Sequence, residues 1–276
     1  MPPAIRLGPL VFPAEILVLA AAAALGLLAG RLLHRGPRAD GRARVSSILW
    51  GALIAGLTAA RLGFAWEYRD HFLANPLSIL DLRDGGWSGM LGLAAAWIYG
   101  VTAMLRRAAP RPAVLGALAL ASLAWVGGGR LLAPGGQPTP ALAELRLLAL
   151  DDAPAALTAF QGKPAVINLW ASWCPPCRRE MPAFAQAQAA NPDVHFVFLN
   201  QGEAAPEIAR YLQQHAPGLL NVLRDPVSGA SREFSNRGLP ATLFLDANGR
   251  LVDLRVGELS AATLAQRLDA IRPSRP

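Results

Sequence analysis

Cysteine, lysine and charge of either sign are all scarce in this sequence. Its 276 residues contain two cysteines, Cys174 and Cys177, and Lys163 is the only lysine. Two cysteines three positions apart exclude a disulfide-rich scaffold and a cysteine-rich zinc site, which makes a redox pair the leading interpretation. Charged residues make up 16% of the chain and hydrophobic residues 53%, whereas soluble domains carry about 25% charged residues. This composition excludes a disordered chain and favours a membrane protein.

Long apolar runs fill the first half of the chain. Each run is close to the roughly 20 residues that a helix needs to cross a bilayer, and none has the polar face of a soluble core helix. The sequence therefore predicts a transmembrane domain at residues 1–132. Its four predicted spans cover residues 12–30, 45–64, 86–105 and 112–132.

Arginines between these runs indicate the orientation of the chain. The net charge of +7 would suit nucleic acid, but the arginines cluster in the loops that follow the first and third runs. The positive-inside rule assigns both loops to the cytoplasm, so we expect both termini outside and no nucleic-acid partner. A cleaved signal peptide is not expected, because the basic residues follow the first apolar run instead of preceding it.

The second half has the pattern of a soluble α/β domain. Residues 133–140 (APGGQPTP) are a predicted linker, and the domain is assigned to residues 141–276. Apolar runs and turn signals predict strands at 165–170, 194–199, 242–246 and 250–256, the last two forming a hairpin. Helices are predicted at 175–190 and 205–215, and from an N-cap at Ser260 to about residue 271.

The strongest chemical signal is the Cys-Pro-Pro-Cys motif between a predicted strand and a predicted helix. Cys174 would lie at the helix N-terminus, where free backbone N–H groups and the helix dipole favour a thiolate. Cys177 would lie one turn further on and deeper in the protein. We therefore expect Cys174 to attack a disulfide and Cys177 to resolve the mixed disulfide. A zinc site or two structural thiols are the alternatives, but His195 and His215 are not at ligand spacing.

Around this motif the sequence resembles the TlpA/ResA branch of the thioredoxin superfamily. The matching stretches are residues 162–164 (GKP), 168–177 (NLWASWCPPC) with Glu180, 199–203 (LNQGE) and 238–246 (GLPATLFLD). The resemblance implies a mixed sheet of four or five strands flanked by helices. It also implies that Pro240 is a cis proline facing the cysteines and that the backbone of Leu239 pairs with the substrate. Trp173, Pro175 and Pro176 are expected to complete the substrate-binding surface.

Two polar residues beside the motif concern proton transfer. Cytoplasmic thioredoxins have a buried aspartate where this chain has Asn168, and an amide cannot accept the proton of a buried thiol. Glu180 follows Cys177 by three residues and so shares its helix face, as in ResA-like proteins. We therefore expect Glu180 to accept that proton. The alternative is a solvated surface glutamate, and exposure would keep any catalytic effect small.

The membrane half has a second, weaker resemblance. Residues 60–64 (ARLGF), 75–80 (NPLSIL) and Gly85-Gly86 resemble part of the prolipoprotein diacylglyceryl transferases, which attach lipid to exported lipoproteins. Those enzymes have about seven spans and a His-Gly-Gly stretch that this chain lacks. Three charges, Glu15, Arg61 and Arg130, lie near predicted span ends. One expectation is that these side chains reach the membrane interface and that Glu15 forms an ion pair with Arg61 or Arg130. The alternative is that the three charges form a lipid- or partner-binding site.

These observations predict a bacterial inner-membrane protein with a thioredoxin-like domain in the periplasm. It would reduce disulfides of exported proteins, for example in cytochrome c maturation, with no cofactor or metal beyond the Cys174–Cys177 disulfide. No predicted span contains cysteine, so a separate transmembrane thiol donor of the DsbD/CcdA type is expected. The alternatives are a lipid-modifying transferase-like membrane protein with an accessory redox domain, and a redox-sensing membrane binding module.

Overall fold

The computed structural model divides the chain into two compact units. Residues Phe12–Leu80 and Gly86–Leu132 form one unit, and the other comprises Met1–Val11, Asp81–Gly85 and Ala133–Pro276. The structure describes residues 4–7, 10–34, 39–73, 76–107, 109–132, 137–138, 142, 144–234 and 238–272.

Four long helices form most of the N-terminal unit. They are α1 (Ala14–Leu33), α2 (Ala39–Glu67), α4 (Gly89–Arg106) and α5 (Arg111–Leu132), with the short helix α3 (Arg69–Phe72) after α2. Two 3₁₀ turns, Pro76–Leu80 and Leu82–Asp84, precede α4. All four long helices are long and apolar enough to cross a membrane. α2 begins at Ala39, whereas the predicted span begins at residue 45. Charged residues before the apolar run limit the predicted span, but they are compatible with a helix.

Small residues allow these helices to pack closely in pairs. A Cβ atom added at Gly26 of α1 would lie 3.0 Å from the Cβ of Ala121 on α5. A Cβ added at Gly92 of α4 would lie 2.8 Å from the Cβ of Ala60 and 2.9 Å from the carbonyl oxygen of Gly56, both on α2. Such contacts are typical of helix pairs in membranes, where close backbone approach drives association.

A mixed β-sheet organises the C-terminal unit. Its main strands are β6 (Ala165–Trp170), β7 (His195–Gln201), β8 (Val222–Asp225), β9 (Ala241–Leu245) and β10 (Arg250–Val256). β6, β7 and β8 are parallel neighbours, whereas β9 pairs antiparallel with β6 and β10. Helices α6 (Pro175–Ala190), α7 (Ala205–His215), α8 (Gly229–Phe234) and α9 (Ala261–Ile271) accompany the sheet. Every residue of β6 is buried, so the strand that leads to Cys174 runs through the core.

Several elements differ from the sequence-based prediction. The sheet also contains three two-residue strands, β3 (Gln137–Pro138), β4 (Leu147–Leu148) and β5 (Pro154–Ala155), which give the order β3-β10-β9-β6-β7-β8-β4-β5. Part of the predicted linker is thus a strand, and its residues 133–136 and 139–140 lie outside the described residues. Before α1, β1 (Ala4–Leu7) and β2 (Leu10–Pro13) form a separate two-stranded sheet. These strands are too short to show the alternation of apolar and polar residues from which strands are predicted.

Candidate functional site

The two cysteines lie at the junction of β6 and α6, as the motif predicts. Cys174 is the N-cap of α6, and its Sγ accepts a hydrogen bond from the backbone N–H of Cys177 at 3.3 Å. The two residues form a disulfide and are both buried. Pro175 occupies the first turn of the helix, where its missing N–H leaves no backbone hydrogen bond unmade. The sulfur of Cys174 therefore lies where a helix N-terminus stabilises negative charge.

The expected substrate-binding residues surround the helix start and the loop before β9. The Leu239–Pro240 peptide bond is cis, and Pro240 is buried. Leu239 packs against the apolar cluster that contains both cysteines. Trp173, next to the buried Cys174, is 67% exposed, although tryptophan side chains are highly buried on average. Pro175 is exposed and Pro176 half-buried, so the motif offers both apolar surface and a disulfide.

Glu180 is buried with a defined set of partners, so the alternative of a solvated surface glutamate is wrong. Its side chain is 1% exposed; Oε1 accepts from Asn168 Nδ2 at 2.8 Å and Oε2 from the backbone N–H of Leu259 at 3.0 Å. Burial raises the pKa of Glu180 from 4.5 to about 8, although both hydrogen bonds lower it, and the nearby charge of Glu258 adds to the rise. At neutral pH the carboxyl group is mostly protonated and can exchange a proton near physiological pH.

Asn168 supports Glu180 from the centre of the sheet. It is fully buried in β6, and its Nδ2 also donates to Thr242 Oγ1 on β9 at 3.1 Å. Its Oδ1 has no hydrogen-bond partner within the part of the chain that the structure describes. The residue that departs from the cytoplasmic thioredoxins is thus the one that contacts the buried glutamate.

Glu203, in the loop after β7, is a site residue to which sequence reasoning assigned no role. Its carboxylate accepts hydrogen bonds from Ser172, two residues before Cys174, through both the backbone N–H (2.7 Å) and the hydroxyl. It also accepts from Asn200 Nδ2 at 2.6 Å. The signal was present in the sequence, because Glu203 lies in the LNQGE stretch of the family resemblance.

The two histidines considered as zinc ligands pack against aromatic side chains. The ring of His195, at the start of β7, packs edge-on against Phe160, and burial lowers the pKa of this histidine. His215 stacks on Tyr211 with ring centroids 4.8 Å apart. Among the described residues, no group of three or more His, Cys, Asp or Glu side chains could hold a metal ion.

The three charges of the membrane half differ in environment. Glu15 in the first turn of α1 and Arg130 in the last turns of α5 are exposed. Arg61 is only 5% exposed and is enclosed by the protein, and its place at the membrane interface stays a prediction. The loop after α3 folds back over the end of α2, and the Arg61 guanidinium donates to the carbonyl oxygens of Ile79 and Gly86, both at 2.8 Å.

Comparison with known proteins addresses the C-terminal half. Residues 134–268 match the Redoxin family model. The thiol:disulfide interchange protein DsbE of Allochromatium vinosum is 31% identical over 110 residues, which are 40% of this chain and 60% of that protein. The thiol-disulfide oxidoreductase ResA of Geobacillus thermodenitrificans is 27% identical over 120 residues, 42% of this chain and 68% of that protein.

This half of the chain is also similar to a solved structure, that of a secreted Mycobacterium tuberculosis disulfide oxidoreductase homologous to E. coli DsbE. It is 28% identical, with a TM-score of 0.42, and the match covers 48% of this chain and 98% of that one. The predicted fold class, four apolar helices followed by a thioredoxin-like α/β domain, is confirmed. The C-terminal half of the chain therefore matches the Redoxin family model and is similar to thiol-disulfide oxidoreductases of the DsbE and ResA type.

Proposed function

We propose that this protein is a membrane-anchored reductase of disulfides in exported proteins, with its Redoxin domain in the bacterial periplasm. The observation that carries the proposal is the Cys174–Cys177 pair at the start of α6, with Cys174 as the N-cap. Its relatives of the DsbE and ResA type are thiol-disulfide oxidoreductases. The reducing direction, the periplasm and the exported substrates are parts of the proposal that rest on this likeness and on the arginine pattern.

The reaction begins from the dithiol form of the pair. The Cys174 thiolate attacks one sulfur of a substrate disulfide, forms a mixed disulfide and expels the other substrate sulfur as a thiolate. Cys177 then loses its proton and attacks the Cys174 sulfur, which releases the second substrate thiolate. Both electrons of the substrate's reduction come from the pair, which ends as the Cys174–Cys177 disulfide. Hydrogen bonding from the Cys177 backbone N–H to the Cys174 sulfur favours the thiolate at the attacking position.

Glu180 is proposed to accept the proton of Cys177. The two residues lie one helical turn apart on α6, and both are buried. Burial disfavours the thiolate of Cys177, so its attack needs a base that is also shielded from water. A carboxyl group with a pKa of about 8 is ionised in only a minor fraction at pH 7, but it is a stronger base than an ordinary glutamate.

The substrate is proposed to bind over the motif as an extended chain. Trp173, exposed Pro175 and half-buried Pro176 offer apolar contacts, and the backbone of Leu239 beside cis Pro240 offers hydrogen bonds to the chain that carries the disulfide. Cys174 is 3% exposed and Cys177 is fully buried, so the substrate is proposed to approach Cys174. Apocytochrome c and the cysteine pair of a copper site are the chemical types of substrate that we propose.

Electrons are proposed to come from a separate membrane protein. The chain has no cysteine outside positions 174 and 177, so its four apolar helices cannot relay electrons by thiol exchange. A transmembrane thiol donor of the DsbD/CcdA type would re-reduce the pair. The arginine-rich loops support a topology with both termini in the periplasm, where such a donor delivers electrons.

Lipid transfer by the membrane half is not proposed. Two nitrogens of the Arg61 guanidinium donate hydrogen bonds to the carbonyl oxygens of Ile79 and Gly86. These bonds attach the loop between α3 and α4 to α2. Phe64, Phe72 and Trp87 also lie within 6 Å of the guanidinium as cation–π partners. These contacts favour a structural role for Arg61 in the helical unit.

Reaction of the reduced full-length protein with a chromogenic aromatic disulfide tests the mechanism. We expect the wild type to release two equivalents of coloured thiol, the first from attack by Cys174 and the second from resolution by Cys177. Cys177→Ser should release one equivalent and retain the other as a stable adduct, and Cys174→Ser should react slowly. A fast Cys174→Ser variant and a slow Cys177→Ser variant would reverse the two assignments, and absence of release from the wild type would exclude thiol exchange.

A further inference from the structure

The loop that follows β7 is shaped to direct one carboxylate toward the cysteine motif. Asn200 and Gln201 end the strand, and Gly202 has a φ of +83°, in the left-handed region that favours glycine. Its backbone N–H donates to the carbonyl oxygen of Asp225 at 3.0 Å, which ties the turn to the end of β8. A Cβ atom at this position would lie 3.1 Å from Ser228 Oγ. Glycine therefore permits the turn that brings Glu203 back toward β6.

Three donors converge on the two oxygens of Glu203. Oε2 accepts from the Ser172 backbone N–H at 2.7 Å and from Asn200 Nδ2 at 2.6 Å, and Oε1 accepts from the Ser172 hydroxyl. Asn200 is fully buried, and its Oδ1 accepts from the Glu203 backbone N–H at 3.3 Å, so its side chain fixes Glu203 from both directions. Hydrogen bonds to a charged acceptor are stronger than those between neutral groups, and glutamine could not accept all three.

Ser172, which donates two hydrogen bonds to Glu203, lies in the turn between β6 and Cys174. β6 ends at Trp170, which is paired in register with Asn200 on β7. The chain then makes a turn, which is closed by a hydrogen bond from the backbone N–H of Cys174 to the carbonyl oxygen of Ala171 at 3.2 Å. Ser172 lies inside this turn, and Cys174 leaves it as the N-cap of α6. Fixing Ser172 thus fixes the direction from which Cys174 reaches the helix N-terminus.

We propose that Glu203 is a positioning residue for Cys174, acting through the backbone and hydroxyl of Ser172. By holding the Ala171–Cys174 turn, Glu203 keeps the Cys174 sulfur where the helix N-terminus can stabilise its thiolate. This inference rests on the proposed function, in which Cys174 is the attacking thiol. The carboxylate is half-buried and its charge is met by three donors, so its main effect on the sulfur is through geometry and not through direct repulsion.

Alkylation of the reduced full-length protein by iodoacetamide across pH, with mass spectrometry to identify the modified cysteine, tests this role. We expect Glu203→Ala to move the Cys174 profile to higher pH and to lower the alkylation rate at pH 7 by about threefold to tenfold, since the thiolate loses part of its stabilisation. Ser172→Ala keeps the carboxylate and loses one donor, so it should shift the profile in the same direction by less. Glu207→Gln, a change in the first turn of α7, is the matched control and should leave the profile unchanged.

The double variant separates the role of Glu203 from other effects. If Glu203 acts through Ser172, the Ser172→Ala change should add little to the effect of Glu203→Ala. An unchanged profile in Glu203→Ala, or a profile moved to lower pH by loss of a repelling charge, would overturn the positioning role. If Glu203→Ala does not fold, an unchanged profile in Ser172→Ala would also overturn it. Preferential alkylation of Cys177 in the wild type would instead refute the proposed assignment of the two cysteines.

Discussion

Replacement of Glu180 by glutamine removes a buried acid from the site and keeps its size. The side-chain amide of the Glu180→Gln variant can still accept from Asn168 or from the Leu259 backbone N–H, so the surroundings need little change. The proton acceptor that we propose for Cys177 is then lost. The expected result is slow resolution of the mixed disulfide, with attack by Cys174 nearly unaffected, because the thiolate of Cys174 depends on the helix N-terminus.

The size and pH dependence of the effect follow from the pKa of about 8 for Glu180. Such a group is ionised to about one tenth at pH 7 and about one half at pH 8, so the resolving rate of the wild type should rise about fivefold between them. General-base help is worth about 10²–10⁴-fold. We expect Glu180→Gln to be slower by at least about 10²-fold at pH 8. The difference should shrink at higher pH as hydroxide replaces the base.

Stopped-flow measurement of both phases of coloured-thiol release from the full-length protein separates the two steps. The fast phase reports attack by Cys174 and the slow phase resolution by Cys177. Glu207→Gln is a control for loss of a carboxylate outside the site. Superimposable pH profiles of the slow phase for wild type and Glu180→Gln would show that Glu180 handles no proton, and an equal loss in both phases would point to general disruption of the site.

Stability, electron supply and topology each provide a further prediction. Because Glu180 is neutral in the folded protein and ionised in the unfolded chain between its two pKa values of 4.5 and about 8, stability should fall as pH rises through that interval. Denaturant unfolding should show the wild type losing about 3–4 kcal/mol relative to Glu180→Gln between pH 5 and pH 8, and parallel curves would exclude the raised pKa. Deletion of the cell's transmembrane thiol donor should leave Cys174 and Cys177 oxidised, as measured by alkylation trapping; a pair that stays reduced would contradict the need for that donor. Reporter fusions at Arg38 should be active only as cytoplasmic reporters and fusions after Pro276 only as exported ones, and the reverse would invert the topology.

Local sequence was sufficient for the elements that present the cysteines. An apolar strand, the Cys-Pro-Pro-Cys motif and a helical pattern follow one another without interruption, and α6 has the bounds 175–190 that the sequence predicts. α7 and α9 were also predictable, because proline at the start of one and the Ser260 cap of the other mark their first turns. β8 was missed because Arg224 and Asp225 interrupt a run of only four residues.

The burial of Glu180 could not be predicted from its neighbours in the sequence. A spacing of three residues places Glu180 on the same face of α6 as Cys177, but the groups that cover this face come from β6 and from the segment before α9. The backbone N–H that Glu180 accepts from belongs to Leu259, 79 residues away. The contact between Glu203 and Ser172 spans 31 residues and depends on the register of β6 and β7. Tertiary contacts of this kind decide the chemistry of the site.

Capture of substrates in living cells tests the central claim most directly. A full-length Cys177→Ser variant lacks the resolving thiol, so substrates attacked by Cys174 should remain covalently attached and appear as adducts on non-reducing gels. Mass spectrometry should identify exported proteins with cysteine pairs, and the Cys174→Ser control should capture none of them. Absence of adducts under both oxidising and reducing growth conditions, or capture of cytoplasmic proteins alone, would contradict a reductase of exported disulfides.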